Sequence, residues 1–202
     1  MKSCAALILA AGAASRWANG PKVLASWDGR PLIDHVADVA RAAGAAPIYR
    51  VLGAHREVIE AVVAPSDVST VFNPRWADGL GASLACGMRA LLADPVASDC
   101  AGVLILLGDQ PLVSGSTLRA LRERHERSGH GLVFSSSGEG RRGPPAFVAR
   151  RFWPELTGLS GEEGARTLAV AHPDQVAIVS APESAADIDT AEDYARLIRG
   201  AD

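Results

Sequence analysis

Two basic residues flank a turn of small residues close to the start of the chain. The turn follows a short apolar run and leads on to Arg16 and Lys22. Small side chains allow backbone N–H groups to approach a ligand closely, and the two cations favour a polyanionic ligand. The spacing matches neither a P-loop nor a Gly-x-Gly-x-x-Gly dinucleotide-binding turn. It predicts an anion-binding loop; the alternative is a tightly packed turn with two solvated cations. The residues of the turn itself are Leu9, Ala10, Ala11 and Gly12.

One acidic residue, Asp109, follows the apolar run Val103–Leu107. If that run is a buried strand, a carboxylate at its end is costly unless a partner compensates its charge. Mg²⁺ is one such partner, because it typically takes one or two carboxylates together with substrate phosphates. Asp109 is therefore a candidate metal ligand. The alternative is an aspartate that caps the turn before Pro111.

Two further carboxylates stand near the end of the chain. Asp187 and Asp189 lie two residues apart, so they share one face of an extended segment. Together with Asp109 they could form a two-carboxylate magnesium site. The alternative is the start of a helix, because Thr190 and Asp193 have the spacing of a capping box.

A glycine-rich turn follows another apolar run. Residues 73–83 (NPRWADGLGAS) leave that run and enter a helix that is expected to start near Ser83. The turn at Gly79 and Gly81 could present backbone amides to the edge of a nucleotide base. It could equally be a plain connection between a strand and a helix.

The elements that must position these residues alternate between strand-length apolar runs and segments of helical period. Leu32 to Ala43 has apolar residues at helical spacing and stops at Gly44, and Ser116 is the expected N-cap of a later helix. Runs that are apolar at nearly every position indicate strands covered on both faces, hence a three-layer α/β domain with a mostly parallel sheet. In such sheets ligands bind beyond the carboxyl ends of the strands. The predicted strands are Ala5–Leu9, Pro47–Leu52, Val68–Phe72, Val103–Leu107, Leu132–Phe134 and Val176–Val179.

Two segments interrupt this alternation. Val23 to Ile33 is expected to form a short excursion that turns at Asp28-Gly29. Ser135 to Pro145 (SSSGEGRRGPP) is expected to be a loop of 11 residues, either functional or a domain boundary. Because no linker composition separates two halves, residues 1–202 are expected to form one domain.

Composition excludes several classes of function. The net charge of −3 gives no electrostatic footprint for nucleic acid or an anionic membrane, and no apolar run approaches the about 18 residues of a membrane span. The three cysteines are far apart without Cys-x-x-Cys, and the five histidines lack metal spacing, so a zinc site is not expected. We expect a cytoplasmic protein that binds neither nucleic acid nor membrane.

Seven segments, in this order along nearly the whole chain, resemble the MobA/MocA-like nucleotidyltransferase family, and most closely its molybdenum cofactor cytidylyltransferase (MocA-like) branch. The LAAG form at Ala11 resembles the cytidylyl branch, whereas guanylyl-transferring relatives tend to carry LAGG. The chain departs from the family where Gly143-Pro144-Pro145 replaces Gly-His-Pro, which leaves the acceptor open, and where Trp17-Ala18-Asn19 replaces Met-Gly or Phe-Gly. The matching segments are 9–22 (LAAGAASRWANGPK), 28–35 (DGRPLIDH), 73–84 (NPRWADGLGASL), 108–112 (GDQPL), 143–147 (GPPAF), 161–166 (GEEGAR) and 187–194 (DIDTAEDY).

The resemblance implies a Rossmann-like nucleotidyltransferase fold, with Arg16 and Lys22 as the triphosphate-binding cations. It implies Asp109 as the magnesium ligand and Asp189 as the second metal position. The turn at residues 9–12 and the loop Gly79 to Ser83 would contact the nucleotide, the latter at its base.

The resemblance also implies a reaction: transfer of CMP from CTP to a phosphorylated acceptor, molybdopterin, with Mg²⁺ as cofactor and release of pyrophosphate. A molybdoenzyme or its chaperone is a further implied partner. Two alternatives stay open. One is another acceptor, such as a sugar phosphate, a polyol phosphate or a phospholactate-like acid. The other is a non-catalytic chaperone that binds the nucleotide or the molybdenum cofactor.

Overall fold

The computed structural model describes residues 3–14, 16–17, 20–138 and 141–201. Ala18 and Asn19, where the sequence departs from the family pattern, lie outside the described residues. Within these ranges seven strands form one sheet, and a two-stranded hairpin lies apart from it. The strands are β1 (Cys4–Ala10), β2 (Ser26–Trp27), β3 (Arg30–Pro31), β4 (Ala45–Leu52), β5 (Val68–Phe72), β6 (Gly102–Leu107), β7 (Leu132–Gly138), β8 (Arg141–Ala149) and β9 (Val176–Ser180). The helices are α1 (Leu32–Ala42), α2 (Arg56–Val62), α3 (Leu80–Ala93), α4 (Gly115–Ser128), α5 (Trp153–Leu156), α6 (Arg166–Ala171) and α7 (Ala191–Ala201).

The sheet is mostly parallel, with strand order β5-β4-β1-β6-β8-β7-β9. β1 pairs in parallel with β4 and β6, whereas β8 runs antiparallel to both of its neighbours. Every residue of β1 is buried, as expected for a central strand that is covered on both faces. The predicted α/β architecture with a mostly parallel sheet flanked by helices is therefore confirmed, and the fold is Rossmann-like.

The carboxyl ends of β1, β4, β5, β6, β7 and β9 all lie at one edge of the sheet, because these strands share one direction. The predicted turn at Asp28-Gly29 is confirmed: β2 and β3 pair as an antiparallel hairpin, and both turn residues have positive φ. The described residues include no helix that is both long and apolar enough to cross a lipid bilayer.

Three predicted boundaries were wrong. Ser135 to Pro145 is not a loop, since β7 continues to Gly138 and β8 starts at Arg141; only Glu139 and Gly140 lie outside the described residues. Ser, Gly and Pro carry no apolar alternation, so tertiary pairing decided this hairpin: Ser135 is fully buried and its hydroxyl donates to the carbonyl of Gly143 at 3.1 Å.

The other two wrong boundaries are helix starts. α3 begins at Leu80 rather than near Ser83. The N-cap of α4 is Ser114 rather than Ser116, because the Ser114 hydroxyl accepts the hydrogen bond from the Thr117 amide.

A small apolar cluster, separate from the main core, attaches the last helix to the amino-terminal loop. Tyr194 of α7 meets the Trp17 ring edge-to-face with the ring centroids 5.7 Å apart, and its hydroxyl donates to the Ser26 carbonyl. This packing brings the segment 187–190, which precedes α7, next to the loop that follows β1. The buried members of the cluster are Trp27, Leu32 and Ile188, and Leu197 and Ile198 pack against them.

Candidate functional site

Lys22 occupies the centre of a charged cluster at the carboxyl edge of the sheet. It begins a short 3-10 helix after the β1 loop, and its Nζ lies 2.5 Å from Asp109 Oδ2 and 3.0 Å from Asp189 Oδ1. The side chains of Lys22 and Asp109 are each 17% exposed. Two carboxylates that are far apart in the sequence thus converge on one ammonium group.

Arg16 forms the solvent side of the same cluster. Its Nη2 donates to Asp189 Oδ2 at 2.8 Å, so Asp189 binds both predicted triphosphate-binding cations. The Arg16 side chain is 69% exposed, and water therefore screens this ion pair strongly. Arg16 stabilises the free protein little and is available to a ligand.

The pKa values of the cluster follow from its geometry. Burial alone would lower the pKa of Lys22, but the charges and hydrogen bonds of Asp109 and Asp189 outweigh that effect and raise it. Burial would raise the pKa of Asp189, yet its bonds to Lys22 and Arg16 hold that pKa below its ordinary value. Lys22 and Asp189 therefore carry full charge at neutral pH.

One carboxylate oxygen of Asp109 differs from the other in its contacts with the described residues. Its Oδ1 is buried and accepts no hydrogen bond from the residues that the structure describes. A buried carboxylate oxygen without a hydrogen bond can coordinate a metal ion that enters the site together with a bound ligand. The described ranges contain no group of three or more His, Cys, Asp or Glu side chains that could hold a metal by themselves. Two converging carboxylates with an unsatisfied oxygen fit Mg²⁺, which takes its other ligands from substrate phosphates and water.

The β1 loop borders this cluster and opens toward solvent. Leu9, Ala10 and Ala11 are buried, and the amide of Gly108 donates to the Leu9 carbonyl at 3.0 Å. Gly12, by contrast, is exposed, and a Cβ there would have no atom of the described residues within 4 Å. The open space in front of the Gly12 backbone is where a phosphate group could approach.

Close contacts connect the β1 loop with the loops after β4 and β5. A Cβ on Gly53 would lie only 2.5 Å from the Ala11 carbonyl oxygen and 2.4 Å from Trp76 Cβ. The Ala54 amide also donates to Ala11 at 3.1 Å. Any side chain at Gly53 would force these loops apart, so glycine is required there by the close approach.

The predicted base-contacting loop is held by the turn at residues 160–163. Gly79 has φ +105°, and a Cβ there would lie 2.3 Å from the Gly161 carbonyl oxygen. The Gly81 amide donates to the same carbonyl at 2.8 Å. Ser83 is buried, and its hydroxyl accepts from the Asn73 side-chain amide at 3.0 Å. These bonds explain the loop's conformation; contact of this loop with a base stays a prediction.

Gln110 lies beside the site and was not among the predicted site residues, whereas Asp187 was expected, with Asp189 and Asp109, as a possible magnesium carboxylate. The Gln110 side-chain amide donates to Asp187 Oδ1 at 2.8 Å, whereas the partners of Asp189 are Arg16 and Lys22. Burial raises the pKa of Asp187, and the nearby charges of Asp109 and Asp189 add to that rise. The sequence could have pointed to Gln110, because it directly follows Asp109 within the family-matching segment 108–112.

The structure therefore brings together Arg16, Lys22, Asp109 and Asp189, with the turn at residues 9–12 beside them. Gly79 and Gly81 belong to the loop that follows Trp76, and Trp76 packs against Gly53 beside Ala11 of the β1 loop.

Comparisons with known proteins identify the family and the fold of this chain. The family described as "MobA-like NTP transferase domain" matches residues 6–177. Nicotine blue oxidoreductase of Paenarthrobacter nicotinovorans is 29% identical over 199 residues, which is 95% of each chain. The solved structure of the Rv0371c protein of Mycobacterium tuberculosis is 26% identical, covers 98% of each chain and has a TM-score of 0.78. That protein has also been solved as a complex with manganese. A nucleotidyl transferase from Methanothermobacter, 24% identical over 98% of this chain and 97% of its own, has a TM-score of 0.81 and shows the same fold.

Proposed function

Because this chain belongs to the MobA-like NTP transferase family, we propose that it transfers CMP from CTP to a phosphorylated acceptor, molybdopterin, and releases pyrophosphate. One observation carries the proposal: the Lys22 ammonium lies between Asp109 and Asp189, and Arg16 binds the outer oxygen of Asp189. A triphosphate with a bound metal ion carries both charges, so the two cations can bind its phosphate oxygens while the two carboxylates bind the metal.

Arg16 and Lys22 would bind phosphate oxygens of the nucleotide. In the free protein Asp109 and Asp189 pair with these cations, so the charged side chains are already gathered at one place before the ligand arrives. When the two cations bind phosphate, their carboxylate partners become available. Asp109 and Asp189 would then hold Mg²⁺, and the buried Oδ1 of Asp109 would gain a partner.

Bound Mg²⁺ would neutralise charge on the phosphate oxygens. The manganese complex of the Rv0371c protein, 26% identical to this chain, supports a divalent cation in this family. The protein's own part is positioning and charge stabilisation: Arg16 and Lys22 would offset the charge that develops on the departing pyrophosphate. No nucleophile from the protein is needed, because an acceptor phosphate is already anionic at neutral pH.

The choice of base and acceptor rests on the sequence resemblance. Ala11 in the LAAG form favours CTP, and the MocA-like segments favour molybdopterin. The turn at Gly12 and the loop Gly79 to Ser83 are proposed to contact the nucleotide. Other phosphorylated acceptors and a non-catalytic cofactor-binding chaperone stay open as alternatives. Against the chaperone stands the complete set of charged residues, since a protein that only binds would be free to lose its metal carboxylates.

An oxidoreductase activity is a second candidate, favoured by the full-length relative named nicotine blue oxidoreductase. The sequence after β1 lacks the Gly-x-Gly-x-x-Gly motif, so it does not favour a nicotinamide dinucleotide bound at this turn as in dinucleotide-binding Rossmann domains. The residues gathered at the site are carboxylates, an ammonium and a guanidinium, which suit phosphate chemistry better.

A pyrophosphate-release screen tests the proposal. The four ribonucleoside triphosphates are combined with Mg²⁺ and a panel of phosphorylated acceptors that includes molybdopterin, and oxidation of a reduced nicotinamide cofactor is followed in parallel. Release with CTP and molybdopterin is the expected result. Release with another acceptor would correct the substrate. No pyrophosphate release with any nucleotide would favour the chaperone. Oxidation of the nicotinamide cofactor without pyrophosphate release would favour the oxidoreductase.

A further inference from the structure

Gln110 lies at the point where three segments meet beside the charged cluster. Its side-chain nitrogen donates to Asp187 Oδ1 at 2.8 Å and to the Ser184 carbonyl at 3.0 Å, and it lies 3.4 Å from the Pro144 carbonyl. Gln110 is only 4% exposed. A buried amide with two N–H groups is thus fully used by acceptors from β8, from the turn at 182–185 and from the segment before α7.

These bonds join the segments that carry the two predicted metal ligands. Asp109 precedes Gln110 directly, and Asp189 lies two residues beyond Asp187. A backbone bond reinforces the connection, since the Ile188 amide donates to the Asp109 carbonyl at 3.0 Å. The segment that carries Asp189 is therefore attached to the loop after β6 at two adjacent residues, Asp109 and Gln110. In contrast to Lys22, which must turn toward a ligand, this attachment does not depend on any group that the ligand needs.

We propose that Gln110 is a positioning residue that holds Asp189 against Asp109 through Asp187 when Lys22 binds the nucleotide. The inference rests on the proposed function, because it assigns a role toward the same metal and nucleotide. Asp187 acts here as a hydrogen-bond acceptor, and it needs no contact with the metal.

The chemistry of the bond makes glutamine specific. A glutamate at position 110 would place a carboxylate opposite Asp187 Oδ1 and two carbonyl oxygens, with no donor among them. A methionine has similar volume and no donor, so it would leave the three acceptors without their shared partner. At position 187, by contrast, an asparagine keeps an oxygen that can accept the same bond, whereas an alanine does not.

The test measures Mn²⁺ binding by electron paramagnetic resonance in the presence of CTP and without acceptor, because the carboxylates become available when Lys22 and Arg16 bind phosphate; kcat and KM for CTP are measured alongside. The variants are Gln110→Met, Asp187→Ala and Asp187→Asn, and Gln175→Met is the matched control because Gln175 bonds to Arg151 away from this site. Outer groups that orient metal ligands typically change metal affinity by 10- to 100-fold. We expect Gln110→Met and Asp187→Ala to weaken Mn²⁺ binding about tenfold or more, with a loss in kcat. Asp187→Asn should restore binding to within about threefold of the wild type, and Gln175→Met should not change it.

Several outcomes would overturn the proposal. Wild-type Mn²⁺ affinity in Gln110→Met would show that the bond positions nothing. An Asp187→Asn protein as weak as Asp187→Ala would show that Asp187 acts through its charge rather than as an acceptor. If the wild type itself binds no Mn²⁺ in the presence of CTP, the proposed function fails and this inference fails with it. If the wild type binds Mn²⁺ and Gln110→Met binds it equally well, only this inference fails, so the two failures are distinguishable. Because the Asp187 pair is informative by itself, the test holds even if Gln110→Met folds poorly.

Discussion

Substitution of Asp109 by asparagine separates the catalytic from the structural part of the charged cluster. Asp109→Asn keeps the volume of the side chain and removes its charge. Asp109 Oδ2 lies 2.5 Å from Lys22 Nζ, with both side chains 17% exposed. Breaking a fully buried ion pair costs about 3–5 kcal/mol. Here some solvent reaches both groups and Lys22 retains Asp189 at 3.0 Å, so we expect a loss in unfolding free energy of about 1–2 kcal/mol.

The loss in turnover should be much larger than the loss in stability. Removing one preorganised charged contact from a desolvated site typically lowers the rate by about 10²–10³, or about 3–4 kcal/mol. We therefore expect pyrophosphate release by Asp109→Asn to fall at least about 100-fold, while the melting temperature falls by only a few degrees. The assays are pyrophosphate release with CTP and acceptor, and thermal unfolding followed by far-ultraviolet circular dichroism.

The matched control is Asp67→Asn. Asp67 also pairs with an arginine, Arg41, but it is 67% exposed and lies at the start of β5, at the opposite edge of the sheet from the cluster. We expect turnover of this variant to equal that of the wild type. Undiminished pyrophosphate release by Asp109→Asn would refute the role of Asp109 in the reaction. An equal loss in both variants would show that the effect is not specific to the site.

Three further predictions concern the same edge of the sheet. Lys22→Ala should weaken binding of CTP by about tenfold or more and that of CMP much less, as measured by calorimetry; equal effects on both nucleotides would contradict its assignment to the triphosphate. The pKa of Asp189 is lowered in the folded protein, so the stability from its ion pairs should be present above the ordinary carboxyl range and should be lost as pH falls through the folded pKa. The pKa of Lys22 is raised, so the stability from its ion pairs should be lost only as pH rises through its folded pKa. The difference in unfolding free energy between the wild type and Asp189→Asn should therefore be constant near neutral pH and shrink in acid; a difference that grows in acid would be inconsistent with these pairs. Gly79→Ala should raise the KM for CTP and lower the melting temperature, because a Cβ would lie 2.3 Å from the Gly161 carbonyl oxygen. Wild-type values in both measurements would show that the turn at 160–163 can shift without loss of stability or of CTP binding.

The sequence by itself determined the order of the elements and the chemistry of the cluster. Near-continuous apolar runs such as Val103–Leu107 predicted buried parallel strands, because a strand covered on both faces has no polar side. Once the strands were parallel, their carboxyl ends had to share one edge. Arg16, Lys22 and Asp109 follow such strands and were expected at that edge, and the family resemblance added Asp189 as the second metal position. The structure brings the four residues together although they are distant along the chain.

Tertiary structure decided what has no local pattern. The strands around Ser135 and Gly143 have no apolar alternation, and only pairing with β6 and β9 makes them part of the sheet. Likewise, no spacing in the sequence shows that Gln110 bonds to Asp187, or that Gly161 approaches Gly79 closely enough to exclude any side chain. The periodicity of apolar residues indicates which face of a helix or strand is buried. A contact between distant segments depends instead on how complete elements pack, and that packing is fixed only when the whole sheet and its helices are assembled.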